Sequence, residues 1–76
     1  MRNFKIGQRI RVIDDDFSGP LKGRTGTVHR LRRAGNAWIC MDDDLPIELQ
    51  SFDRGDPRFR HIIIDPDECV AIEEPT

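Results

Sequence analysis

The sequence predicts an all-β domain, a small closed barrel of five or six short strands. First, apolar residues alternate with polar ones in short runs, the period of a half-buried strand. Second, glycines and prolines separate these runs, and no apolar period of 3.6 residues persists long enough for a helix. Third, the 76 residues hold one domain, 1–76, whose short strands carry exposed edges unless the sheet closes on itself.

Gln8 to Ile13 opens the pattern, with Ile10 and Val12 on one face and Arg9 and Arg11 on the other. Asp14 to Lys22 is dense in Asp, Ser, Gly and Pro, which makes it a loop. Arg24 to Arg32 forms the second strand, with Gly26 at a bend and Val28 facing inward. Leu31 has the opposite parity from Val28, so this strand must twist or bulge near His29 and Arg30. Ala34-Gly35-Asn36 turns the chain into a third strand, Ala37 to Met41. Asp42 to Phe59 exceeds an ordinary loop, implying hidden structure or a functional excursion. Within it, Pro46 to Gln50 alternates as a short strand. His61 to Ile64 is the next strand, Asp65 to Glu68 a tight 3₁₀ turn, and Cys69 to Ile72 the last strand.

Three glycines, Gly19, Gly23 and Gly26, follow the first strand at a four-then-three spacing and lead into Thr27-Val28. Glycine is favoured where φ must be positive or where a second backbone approaches too closely for a Cβ. The run reads as a sharp turn followed by a bent strand, with all three glycines in structural roles. With Gly7, the alternating Ile10 and Val12, the Gly19-Pro20 turn and the ending Gly23-x-x-Gly26-x-Val28, the segment from about residue 6 to 31 resembles a KOW motif. This strand-turn-strand unit occurs in ribosomal proteins and transcription elongation factors. The resemblance implies a Src-homology-3-like barrel and RNA or a ribonucleoprotein as partner. One departure is the insert Asp14-Asp15-Asp16-Phe17-Ser18, which makes the first loop long and acidic and therefore unsuited to touching phosphates.

Composition excludes several function classes. A chain this short cannot enclose a deep, dry catalytic cleft beside its core. Its formal net charge of -2 argues against general nucleic-acid binding by charge alone. Arginine nevertheless outnumbers lysine ten to two, and its planar fork suits recognition of phosphates and carboxylates. There is no membrane-spanning apolar run and no signal-peptide core, so a soluble, cytoplasmic protein is expected. Cys40 and Cys69 lie in apolar patterns without Cys-x-x-Cys spacing and read as buried free thiols.

The candidate binding residues form two groups. His29-Arg30-Leu31-Arg32-Arg33 carries Arg30, Arg32 and Arg33 into the hairpin, at one rim of the barrel, with Arg9, Arg11 and Arg24 as further cations. Phe52-Asp53-Arg54 and Arg58-Phe59-Arg60-His61 interleave rings with guanidinium groups, the pattern that single-stranded RNA requires. Pinning the long loop to the barrel is the preferred role for Phe52 and Phe59, and a core or half-core place for Trp38, with a ligand platform as the alternative. Asp14 to Asp16, Asp42 to Asp44 and Asp65 to Glu68 lack calcium-loop spacing, so no metal is expected. His29 and His61 have no nucleophile or orienting carboxylate at a motif spacing. The expected protein is a non-enzymatic module without a cofactor, a small-molecule substrate or a membrane partner. Its expected ligand is RNA or a ribonucleoprotein, with a protein partner or accessory-subunit role as the alternative.

Overall fold

Six strands form one antiparallel sheet in a computed structural model that describes residues 3–51 and 53–72. They are β1 (Arg9–Val12), β2 (Thr25–Leu31), β3 (Ala37–Met41), β4 (Gly55–Asp56), β5 (His61–Ile64) and β6 (Cys69–Ala71), in the order β4-β5-β3-β2-β1-β6. Alternation sorts their side chains. Ile10, Val12, Val28, Ile39, Ile62 and Ile64 turn inward and are completely or almost completely buried. Each removes enough apolar surface from water to contribute about 1.5–3 kcal/mol. Leu21, Leu45 and Leu49 cap this core from the loops.

The first loop folds on itself. A 3₁₀ turn at Gly19–Leu21 buries Leu21, Asp14 Oδ2 accepts the Ser18 N–H at 2.9 Å, and Lys22 pairs with Asp15. Gly23 takes φ +85° and donates its N–H to Val12 O at 2.8 Å, returning the chain beside β1. That left-handed conformation suits glycine. Gly19 lies outside the left-handed region, and no heavy atom stands within 4 Å of where a Cβ would be. Gly26 is held by close approach and Gly23 by its dihedral.

The long segment after β3 differs from expectation. Pro46 to Gln50 is not a strand: Ile47–Leu49 form a 3₁₀ turn, with Leu49 N–H bonded to Pro46 O at 3.0 Å and Gln50 N–H to Ile47 O at 3.2 Å. Its alternation serves no sheet face, because Ile47 points into solvent while Leu49 tucks into the core. Two residues of β4 then pair with β5. The turn at Pro66–Glu68 and the final strand stand where the sequence places them.

The backbone ladder is open, since among the described residues no hydrogen bonds join β4 to β6. These strands are two and three residues long and offer little length for pairing. Side chains span the gap instead. Arg54, just before β4, places Nη2 2.7 Å from Glu68 Oε2, just before β6. The same Nη2 donates to Ser18 Oγ at 2.8 Å, and that hydroxyl donates to the Glu68 carboxylate. Glu68 Oε1 also accepts the Asp65 N–H at 3.0 Å. A buried carboxylate is tolerated only when paired and hydrogen-bonded in this way. Arg54 thus acts as a structural clasp rather than as part of the ring-and-arginine group that the sequence outlines. Phe52, the other member of that group, lies outside the described residues.

Candidate functional site

One extra residue in β2 builds the most distinctive surface. Val28 pairs with Ile39 and Arg30 with Trp38, so His29 has no opposite number on β3 and forms a bulge. The bulge was legible in the parity clash between Val28 and Leu31. Its consequence is that His29 and Arg30 both face solvent while Val28 stays in the core. Trp38 and Cys40 face outward from β3. On β5, His61 stands opposite Cys40 and Ile63 opposite Trp38. Cys40 is therefore only half-buried, a correction to its expected burial. Its outward position follows from its alternation with the buried Ile39 and Met41. Both cysteines are free, and burial pushes the Cys69 thiol up to about 11.

Four rings gather on this face. His29 and His61 stack with centroids 4.3 Å apart and planes 27° from parallel. Trp38 lies tilted 6.4 Å from His61, and Phe59 5.7 Å from it. Phe59 keeps 57% of its surface exposed, so it is not pinned into the core. It reaches His61 because Arg60 takes φ 58°, a kink that few non-glycine residues adopt. Arg60 O accepting Met41 N–H at 2.9 Å and its guanidinium meeting Asp44 at 3.0 Å hold that kink. His29, Arg30, Trp38, Asp56, Phe59 and His61 line an open groove of about 680 Å³, a volume within the range that small ligands occupy. A second depression continues from Arg30 and Trp38 past Arg32, Arg33, Asp53 and Ile63.

The cations divide into two sets. Arg30, Arg32 and Arg33 are exposed and make no ion pair among the described residues. Arg58 binds Asp56 through Nε and Nη2, each at 3.1 Å, and lies 5.4 Å from the Phe59 ring centre. This partner holds the Asp56 carboxyl below the ordinary carboxylate range. Burial, with the neighbouring His29, pushes the His61 pKa down, while Asp56 opposes the shift. The second set serves the Asp42–Asp44 loop. Arg9 grips Asp42 with both terminal nitrogens at 2.7 and 2.6 Å, Arg24 Nη1 donates to Asp44 O at 3.3 Å, and Arg60 meets Asp44. Arg11 is exposed on β1, between Thr25 and Val70 in register, apart from the groove. The structure therefore gathers Arg30, Arg32, Arg33, Arg58 and Phe59, and leaves Arg9, Arg11 and Arg24 elsewhere.

The Arg9–Asp42 pair has a measurable acid signature. Hydrogen bonds from Arg9 and then Thr25 lower the Asp42 carboxyl from 3.8 to about 2. A carboxylate depressed in the folded state stabilises above its unfolded pKa, and the contribution disappears as pH falls from about 4 through about 2. Because 41% of this side chain is exposed, solvent screening limits the contribution to about 1 kcal/mol at neutral pH. Asp42→Asn is expected to lose that amount at pH 7 and to flatten the acid limb of a denaturation series between pH 4 and pH 2. An acid limb superimposable on that of the parent protein would show that the pair contributes nothing.

Sequence reasoning named His29, Trp38 and His61 without joining them, and it missed Asp56. The signal that joins the first three is the bulge, which moves His29 onto the outward face of β3 and β5. Asp56 carried no signal, because a two-residue strand is too short for alternation. Among the described residues no group of three or more His, Cys, Asp or Glu is placed to hold a metal ion, and no helix is long and apolar enough to cross a membrane. Comparison with protein-family models finds no match to the chain, and neither does comparison with curated proteins or with solved structures.

Proposed function

We propose that this chain is a non-enzymatic module that binds single-stranded RNA, free or within a ribonucleoprotein, across the outer face of β2, β3 and β5. The observation that carries this reading is the four-ring cluster bordered by Arg30, Arg32 and Arg33, whose guanidinium groups have no acidic partner among the described residues. Bases stack on such rings irrespective of sequence, and cations beside them follow the phosphates. The negative net charge is compatible with this because most acidic groups lie outside the groove: Asp42 and Asp44 are tied to arginines, and Asp14 is folded into its own loop. In the same reading the molecule is a KOW-like member of the Src-homology-3-like barrels, with the Arg54–Glu68–Ser18 clasp in place of full backbone closure.

Trp38, the single tryptophan, supplies the assay. Titration with an oligouridylate is expected to quench its fluorescence. In 0.1 M salt, replacing Arg30, Arg32 and Arg33 together with Gln is expected to weaken binding by about tenfold or more. The slope of log affinity against log salt should fall by about two units, since each single-strand phosphate contact contributes about 0.7. Phe59→Ala should cost about 1–3 kcal/mol of binding, the scale of one stacked base. The thermal midpoint should stay within a few degrees in both variants, because the replaced side chains are exposed. Undiminished affinity in the triple variant would overturn the reading. A parent protein that binds no oligonucleotide yet retains a protein partner through these arginines would establish the accessory-subunit role in its place.

A further inference from the structure

We propose that the stacked His29–His61 pair takes up a proton from solvent when a phosphate group of single-stranded RNA enters the groove, so that the site binds more tightly as pH falls through the imidazole range. This rests on the RNA reading above and adds a regulation to the same site.

The geometry sets the behaviour. Two imidazoles with centroids 4.3 Å apart cannot both be charged without placing like charges in contact. Four elements or turns face His61. From β2 come His29 and Arg30; from β3, Trp38 and Cys40; from β4, Asp56; and from the turn before β5, Phe59, with Arg58 beyond it over the Phe59 ring. Among the described residues Asp56 is the only carboxylate lining this groove, and Arg58 engages both its oxygens. The charged neighbours of His61 are therefore Arg30 and an Asp56 carboxylate already shared with Arg58, so Asp56 supports an imidazolium only in part. The direction of the His61 shift agrees, because burial and His29 disfavour its charged form. A phosphate reverses the balance by adding negative charge beside the rings. The imidazole pKa then rises on binding, and a rise on binding means proton uptake. Affinity increases with acidity between the free and bound pKa values, by up to about tenfold per pH unit for each proton taken up.

The test uses the parent protein and octauridylate. Binding is measured at pH 7.5 and pH 5.5 at fixed ionic strength, and calorimetry near pH 6.5 in two buffers of different ionisation enthalpy counts the protons exchanged. The His29 and His61 ring resonances are titrated by NMR with and without the oligonucleotide. The expected results are binding about three- to tenfold tighter at pH 5.5, a net uptake of about half to one proton, and a raised pKa for at least one of the two rings. Binding at both pH values with no change in either imidazole pKa would overturn the proton linkage and leave RNA binding intact, even if carboxylates elsewhere take up protons. Absence of binding at both pH values would overturn the linkage together with the RNA reading.

Discussion

Gly55→Ala should remove a large share of the protein's stability. A Cβ at this position would stand 2.0 Å from Leu49 O and 3.2 Å from Leu45 Cδ1, the first far inside any tolerable contact and against backbone rather than a movable side-chain tip. The same glycine donates its N–H to Ser51 O at 2.6 Å and pairs with Ile62 in β4. Relief requires the Ile47–Leu49 turn to lift off the sheet, which withdraws Leu49 and Leu45 from the core. Losing two leucine contacts and a short strand costs about 3–5 kcal/mol. A chain of this length holds roughly 4–11 kcal/mol in all, at about 0.05–0.15 kcal/mol per residue. Urea denaturation followed by Trp38 fluorescence measures the change. A midpoint within experimental error of the parent would show that the turn shifts freely and that Gly55 is not required.

Gly26→Val should be nearly as damaging, for a related reason at the centre of the sheet. Gly26 stands between Ile10 on β1 and Met41 on β3. A Cβ there would lie 2.8 Å from Cys40 O, 2.8 Å from Ile39 Cγ2 and 3.0 Å from Met41 Sδ. Valine brings two further methyl groups into a core that is already close-packed. Separating β2 from β3 at this point costs about 3 kcal/mol, which lowers the thermal midpoint by roughly 12–24 °C in a domain of this size. Gly26→Ala carries the Cβ clash without the added methyls and should fall between. An unchanged midpoint for the valine variant would mean that Gly26 is an ordinary strand position. Gly19→Ala is the internal control and should be tolerated, because space is open there.

What the sequence determined by itself is local in origin. Alternation located β1, β2, β3, β5 and β6, because a strand with one buried face must repeat every second residue. The clash of parity between Val28 and Leu31 located the bulge, the Gly-Pro run located a turn, and the Pro-Asp-Glu run located a 3₁₀ turn. Closer detail depended on neighbours distant in sequence. Pro46 to Gln50 alternates as a strand would, yet it turns, with Leu49 packed under Gly55 and Ile47 left in solvent. Which arginines remain unpaired was likewise undecidable from composition: Arg9 finds Asp42 across 33 residues and Arg54 finds Glu68 across 14. Charge pairing falls off steeply with distance, and only the register of the sheet fixes those distances. The ring cluster has the same origin. His29, Trp38 and the Phe59–His61 stretch lie on three separate segments, and the meeting of their rings depends on one bulge in β2 and one left-handed residue before β5. Tertiary structure alone decided that they share a face.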